Sequence, residues 1–240
     1  MGVPRLRVGL LTADSAGPPS PTGPGAPPWA GLVDADEVAA VAARGRAERR
    51  PLQAGHRPAL LVVDMTRAFV QDSYPTNCNA WGGRAATSAC VRVLATARSA
   101  GTPVLFARAA QGPGRHRMDS PELLATPPGL PDGNEIAEEL APRPGEVVFG
   151  KPGPSAFYGS PLDAYLTYLS VDTLVVVGMV TSGCVRATVV DAYTRNLLVL
   201  VPHACVADYS WFQHRSSLFD MHMKYADVCE VEQAEQVLRR

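Results

Sequence analysis

The sequence predicts an α/β fold in three layers, a mostly parallel central sheet with helices on both faces. Three observations carry that expectation. Short apolar runs recur at residues 59–63, 103–107, 146–149, 174–177 and 197–201; the run at 174–177 is continuous and β-branched, as in a strand buried on both sides. Stretches of helical composition separate these runs, so strand and helix alternate along the chain. Asp64, Lys151 and Cys184 each follow one of the runs, at the sheet edge where open α/β folds bind their ligands.

Residues 1–50 differ from the rest and form an N-terminal arm, with 51–240 as one domain. Residues 17–28 are dense in Pro and Gly, which predicts irregular chain. Residues 34–49 (DADEVAAVAARGRAER) place acids first and arginines last, as the helix dipole favours; Gly45 weakens that helix. Two readings of the arm stay open, a disordered tail or a segment that packs on a neighbouring subunit, and neither assigns it chemistry.

The domain begins with the strand at 59–63, closed by Asp64, whose ordinary role there is a cap or turn. Residues 65–83 read as a loop holding Phe69, Tyr74 and Trp81, as pocket wall or as packing. A helix over 84–100 ends at Gly101, a C-cap residue. After the second strand, residues 111–118 (QGPGRHRM) form a basic loop; Arg115, His116 and Arg117 are solvated surface or an anion contact. One or two helical turns are expected at 134–140. Gly150 and Lys151 follow the third strand, and Ser160 with Pro161 starts a helix to about residue 169. Gly178 ends the fourth strand. Ser182 then caps a helix that Gly183 and Cys184 open and Val185, Val189 and Ala192 anchor. Residues 204–214 read as a loop with Asp208, Tyr209, Trp211 and Phe212. A helix at 215–225, a strand at 227–231 and a short last helix close the chain.

Composition narrows the function. With 22 Lys+Arg against 23 Asp+Glu, nothing suggests nucleic acid or an anionic membrane as partner. No apolar run approaches a membrane span, and the N-terminus does not read as a signal peptide. The five cysteines are odd in number and widely spaced, without CxxC, which fits reduced thiols in a cytoplasm rather than disulfides or zinc. Nucleotide-binding glycine motifs are absent from the sequence.

Three strand ends of one parallel sheet can converge in space, and Asp64, Lys151 and Cys184 make a coherent set. A carboxylate can take a thiol's proton. An ammonium beside a thiolate lowers its pKa from about 8.5 towards neutrality, and a helix N-terminus acts in the same sense. Backbone N–H groups in the turn before the helix can hold an oxyanion. The alternative for Cys184 is a small buried residue that only packs.

The segments RPALLVVDMTRAF (57–69), PGEVVFGKPGPSAFYGSPL (144–162) and VDTLVVVGMVTSGCVRATVVDAY (171–193) resemble the isochorismatase-like cysteine hydrolase superfamily, within it the N-carbamoylsarcosine amidase-like branch. The resemblance covers about residues 56–232. It implies a Cys184–Lys151–Asp64 triad without cofactor, a non-proline cis peptide at Met179–Val180, and an oxyanion hole from the N–H groups of Val180 and Cys184. It further implies a homodimer or homotetramer, and hydrolysis of a small amide, ureido or lactam compound through a thioester. Phe69, Trp81, Phe157, Tyr209 and Trp211 are the candidate substrate contacts; loop packing or a subunit interface is the alternative for Tyr209 and Trp211.

Two departures qualify the resemblance. Relatives that bind a substrate carboxylate carry arginine after the aspartate of the segment matching CVADYS (205–210), where this chain has Tyr209. Tyrosine offers no bidentate charged contact, so a larger or less anionic ligand is expected. No histidine occurs between His56 and His116, so the metal site of nicotinamidases is not expected and no residue is assigned to a metal. A catalytically idle binding or assembly protein, and vinyl ether cleavage of the isochorismatase type, are the alternatives to an amidohydrolase.

Overall fold

A computed structural model describes residues 26–32, 34–43, 54–110 and 126–240. The basic loop at 111–118 lies outside the described residues. In chain order the regular elements are α1 (Ala35–Ala42), β1 (Pro58–Val63), α2 (Arg67–Val70), α3 (Gly83–Ala100), β2 (Val104–Ala109), β3 (Val147–Lys151) and α4 (Leu162–Tyr168). There follow β4 (Thr173–Met179), α5 (Arg186–Thr194), β5 (Leu198–Pro202), β6 (Val206–Ala207), α6 (Trp211–Lys224), β7 (Asp227–Cys229) and α7 (Val231–Leu238).

The sheet has seven strands in the order β3-β2-β1-β4-β5-β7, with β6 added beside the end of β4. Every ladder in it is parallel. The chain builds outward from β1 to β3, then returns to β1's other side and builds the opposite way. The turning point lies between β1 and β4, and a crevice at the C-terminal ends of such strands is the usual ligand site.

Alternation along the strands sorts the core into two layers. Leu60, Val62, Phe106, Val175 and Val177 pack with Cys90, Val93, Leu94 and Ala97 of α3 and with Ala234 and Val237 of α7. Ala59, Leu61, Val63, Leu105, Leu174 and Val176 face the other way, onto Leu162, Leu166, Val189, Ala192, Leu218 and Met221. All six residues of β1 and all seven of β4 are buried. Full burial of a side chain such as Leu60 or Leu61 stabilises the fold by about 1.5–3 kcal/mol.

Several elements depart from the sequence reading. The stretch 65–83 is not all loop: it holds α2 and a 3-10 turn at Asn79–Trp81. Helix α6 starts at Trp211, four residues before the expected start, because Ser210 caps it by accepting the Gln213 N–H. Before it, Val206–Ala207 add to the sheet beside β4. Gly178 does not end the fourth strand; β4 runs through it to Met179. There Gly178 has φ +126°, and a Cβ would lie 1.9 Å from the carbonyl oxygen of its ladder partner Val63. Only glycine lets the two strands meet this closely beside Asp64.

Part of the N-terminal arm packs on its own chain. Trp29 is buried in the second core layer, its ring 5.9 Å from Phe219 and 4.7 Å from His222 of α6. Arg215 donates from Nε to the Pro28 carbonyl at 2.9 Å and from its terminal nitrogen to that of Ala30.

Candidate active site

Asp64 stands one residue beyond β1. Its backbone is left-handed, φ 50°, a conformation Asp tolerates better than branched residues, and its N–H donates to the Ala107 carbonyl at 2.8 Å. Lys151 is the last residue of β3 rather than the first of a loop; its carbonyl accepts from Ala110 N–H at 2.9 Å. Both side chains are about 4 % exposed, and Lys151 Nζ lies 2.7 Å from Asp64 Oδ2.

Cys184 reaches the same point from β4. The expected helix cap at Ser182 does not form. A wide turn over Thr181–Val185 instead precedes α5, with Gly183 in a non-helical conformation (φ −103°, ψ −105°). The Met179–Val180 peptide bond is cis. Lys151 Nζ donates to Cys184 Sγ at 3.2 Å and to the Gly153 carbonyl at 3.3 Å. With Asp64, all three ammonium hydrogens have acceptors.

Electrostatics at this cluster run against one sequence expectation. Burial pushes the Cys184 thiol up, the Asp64 carboxylate adds to that, and Lys151 only partly offsets them, so the pKa stands at about 12. The net shift is opposite in direction to the one expected from a neighbouring ammonium alone. Desolvation of the half-buried sulfur, invisible in the sequence, outweighs the lysine. Burial also opposes the charge on Lys151, but Asp64 and then Cys184 outweigh it and raise its pKa.

The turn that carries Cys184 is tied down by residues the sequence reading did not single out for chemistry. Asp208, 1 % exposed, accepts Ser182 N–H on Oδ2 at 2.6 Å and Tyr209 N–H on Oδ1 at 2.8 Å. Thr181 donates its hydroxyl to the Ala207 carbonyl at 3.0 Å and meets His214 Nδ1 at 2.8 Å. Thr188 donates to the Cys184 carbonyl at 2.7 Å and accepts Ala156 N–H at 3.0 Å. Thr181, Ser182 and Thr188 stand in the sequence as small polar residues embedded in apolar runs.

The candidate substrate contacts do not all gather. The rings of Phe69 and Tyr209 lie 6.4 Å apart, and those of Trp81 and Trp211 also 6.4 Å apart. Burial raises the Tyr209 phenol pKa, and Cys78, Asp208, Cys184 and Asp64 add to the effect. Phe157 sits elsewhere, buried in the second core layer with the Arg195 guanidinium 4.3 Å over its ring. Phe212 is 67 % exposed. All five cysteines are free. Among the described residues no three His, Cys, Asp or Glu side chains converge as metal ligands, and no helix is long and apolar enough to cross a membrane.

A three-layer α/β sheet with a thiol, an ammonium and a carboxylate in contact at one rim has the groups of a cysteine hydrolase. The isochorismatase domain model matches residues 58–233, and the chain belongs to that family. It is 36 % identical over 191 residues to maleamate amidohydrolase from Pseudomonas putida, covering 77 % of this chain and 88 % of that protein. It is 29 % identical over 205 residues to N-carbamoylsarcosine amidase from Arthrobacter sp., covering 82 % and 77 %. Among solved structures, an isochorismatase family protein from Desulfovibrio vulgaris superposes with a TM-score of 0.68 at 29 % identity, over 78 % of this chain and all of that one. This kinship places the chain among the amidohydrolases that act on C–N bonds outside peptides.

Proposed function

We propose that the chain hydrolyses the C–N bond of a small amide, ureido or lactam compound through a thioester on Cys184. One observation carries the reading: a single buried ammonium, Lys151, touches both a thiol and a carboxylate. Asp64 takes the thiol proton as sulfur attacks the carbonyl carbon. Proton and charge stay inside the cluster, because a carboxylate with a thiol becomes a carboxylic acid with a thiolate. The backbone N–H groups of Val180 and Cys184 receive the oxyanion, and one such donor contributes about 3 kcal/mol. Asp64 returns the proton to the nitrogen as the C–N bond breaks; ammonia or an amine leaves, or, from a lactam, the freed amine stays on the acyl chain. Water, deprotonated by Asp64, then attacks the thioester; the acid product departs and the thiol is restored.

Tyr209, Phe69, Trp81 and Trp211 form the proposed wall for the acyl part. With Tyr209 bound through its N–H to the Asp208 carboxylate and no cation among its members, that wall favours an uncharged, partly apolar group over a carboxylate. Phe157 is left out of the proposal because Arg195 and the core cover it. Assembly as a homodimer or homotetramer and residence in a reducing cytoplasm belong to the same proposal; sedimentation of the full chain tests the first.

The experiment is a hydrolysis screen over amides, ureas and lactams, each in neutral and carboxylated forms, read as released ammonia or, for lactams, as the ring-opened amino acid, with Cys184→Ala as the blank. Release by the wild type and not by the variant, with neutral forms preferred, is the expected outcome. Equal release by both proteins would falsify the nucleophile.

A further inference from the structure

Two buried polar groups outside the triad grip the backbone between the end of β4 and Cys184. Asp208 holds Ser182, two residues before the sulfur, through a short bond of 2.6 Å. His214 holds Thr181, three residues before it, at 2.8 Å. Thr181 is fully buried and His214 is 7 % exposed. Both attachments come from one segment, β6 and the first turn of α6, which itself pairs with β4 at Gly178 and Met179.

The hydrogen-bond directions can be assigned. The Thr181 hydroxyl has one hydrogen, which goes to the Ala207 carbonyl. It must therefore accept from His214, which is neutral with its proton on Nδ1. Among the described residues the Asp208 carboxylate pairs with no cation, only with two backbone N–H groups. A buried carboxylate held by backbone alone is an expensive way to shape a loop, and this one ends at the nucleophile's turn. The first turn of α6 is backed in its place. The His214 N–H donates to the Ser210 carbonyl at 2.9 Å, and the Trp211 ring packs edge-on against His214 at 5.7 Å. Trp211 in turn lies 3.2 Å from where a Cβ on Gly82 would stand.

We propose that Asp208 and His214 are positioning residues for Cys184, a two-point clamp that sets the path of the turn and so keeps the sulfur against Lys151 and Asp64. The clamp rests on the reading of Cys184 as nucleophile, yet its effect on the sulfur can be measured without turnover. If the turn loosens, the half-buried sulfur leaves Lys151 and Asp64, loses its base and behaves as an ordinary exposed thiol.

Four variants test this: Asp208→Asn, His214→Ala, His214→Asn and Thr181→Val. Turnover, alkylation of Cys184 by iodoacetamide at pH 8.5 followed by mass spectrometry, and thermal midpoint are measured on each. Asp208→Asn and His214→Ala are expected to lower kcat at least tenfold with KM within threefold. Alkylation should rise several-fold and the midpoint hold within a few degrees. His214→Asn presents an amide hydrogen near the place of Nδ1–H and is expected to restore both kcat and slow alkylation. Thr181→Val keeps the shape without the hydroxyl and carries the test if Asp208→Asn does not fold. Wild-type kcat and alkylation in folded Asp208→Asn, His214→Ala or Thr181→Val overturn the clamp, as does failure of His214→Asn to restore what His214→Ala loses. Activity in Cys184→Ala would instead strike the nucleophile assignment and leave the alkylation comparison standing.

Discussion

Replacing Lys151 by methionine removes the cation from a buried pair and leaves the Asp64 carboxylate behind. The charged atoms are 2.7 Å apart and both side chains about 4 % exposed. At an effective dielectric constant of about 20, unit charges at that separation attract by about 6 kcal/mol. Burial strips each ion of several kcal/mol of hydration, so the intact pair nets little. Removing one partner cancels the attraction but not the desolvation of the other, and such changes typically cost about 3–5 kcal/mol. Lys151→Met is therefore expected to lose about that much in urea unfolding at pH 7, together with all turnover. In Asp64→Asn/Lys151→Met neither charge remains. The double variant should lose less than the sum of the two single variants by about 2 kcal/mol or more, the mark of coupled sites. A Lys151→Met protein within 1 kcal/mol of wild type, or strictly additive losses, would show that this pair is not the buried ion pair described.

Three further outcomes follow from the geometry. Gly178→Ala sets a methyl group against the Val63 carbonyl in a conformation with φ +126°. It should cost about 3 kcal/mol or more in unfolding free energy or abolish soluble expression, and a stable, active variant would contradict the close strand contact. Burial pushes the thiols of Cys78, Cys184 and Cys229 up to about 12. The unfolded chain loses these protons near pH 9 while the folded one keeps them, so stability is full below pH 9 and falls by about 1.4 kcal/mol per pH unit per thiol towards pH 12. Urea midpoints that stay flat from pH 8 to 10.5 would count against these raised thiols. Burial pushes His214 down to about 4. The unfolded chain binds the proton from about pH 6.5 downward while the folded one does not, so this residue's contribution should decline by about 1.4 kcal/mol per pH unit between those values. His214→Asn, having no such proton to bind, should lack that decline in matched unfolding curves.

Burial explains both the merit and the limit of the sequence reading at the triad. Residues 59–63 and 174–177 announce strands because an apolar run bounded by turn residues has few other ways to hide its surface. Asp64, Lys151 and Cys184 are legible as strand-end residues for the same reason. Gly178 and Ser182 behave differently from what local pattern predicts. Glycine after an apolar run looks like a stop, and serine before a helix looks like a cap, when only local pattern is weighed. What decides both is a contact with a distant part of the chain. Val63 forbids any side chain at Gly178, and Asp208, 26 residues further on, takes the Ser182 N–H for the turn. The aromatic residues show the same limit, since composition groups Phe157 with Phe69, Tyr209 and Trp211, whereas its packing against Arg195 sets it apart.

By itself the sequence determined the class of fold, the run of parallel strands and the rim on which the thiol, the amine and the acid stand, because these depend on burial period and on what ends each strand. Only the tertiary structure decided that one ammonium touches both other groups, that burial raises the Cys184 pKa, and that His214 reaches back to the hydroxyl of Thr181, 33 residues before it. Those outcomes depend on strand order and on how completely water is excluded, which distant parts of the chain settle together.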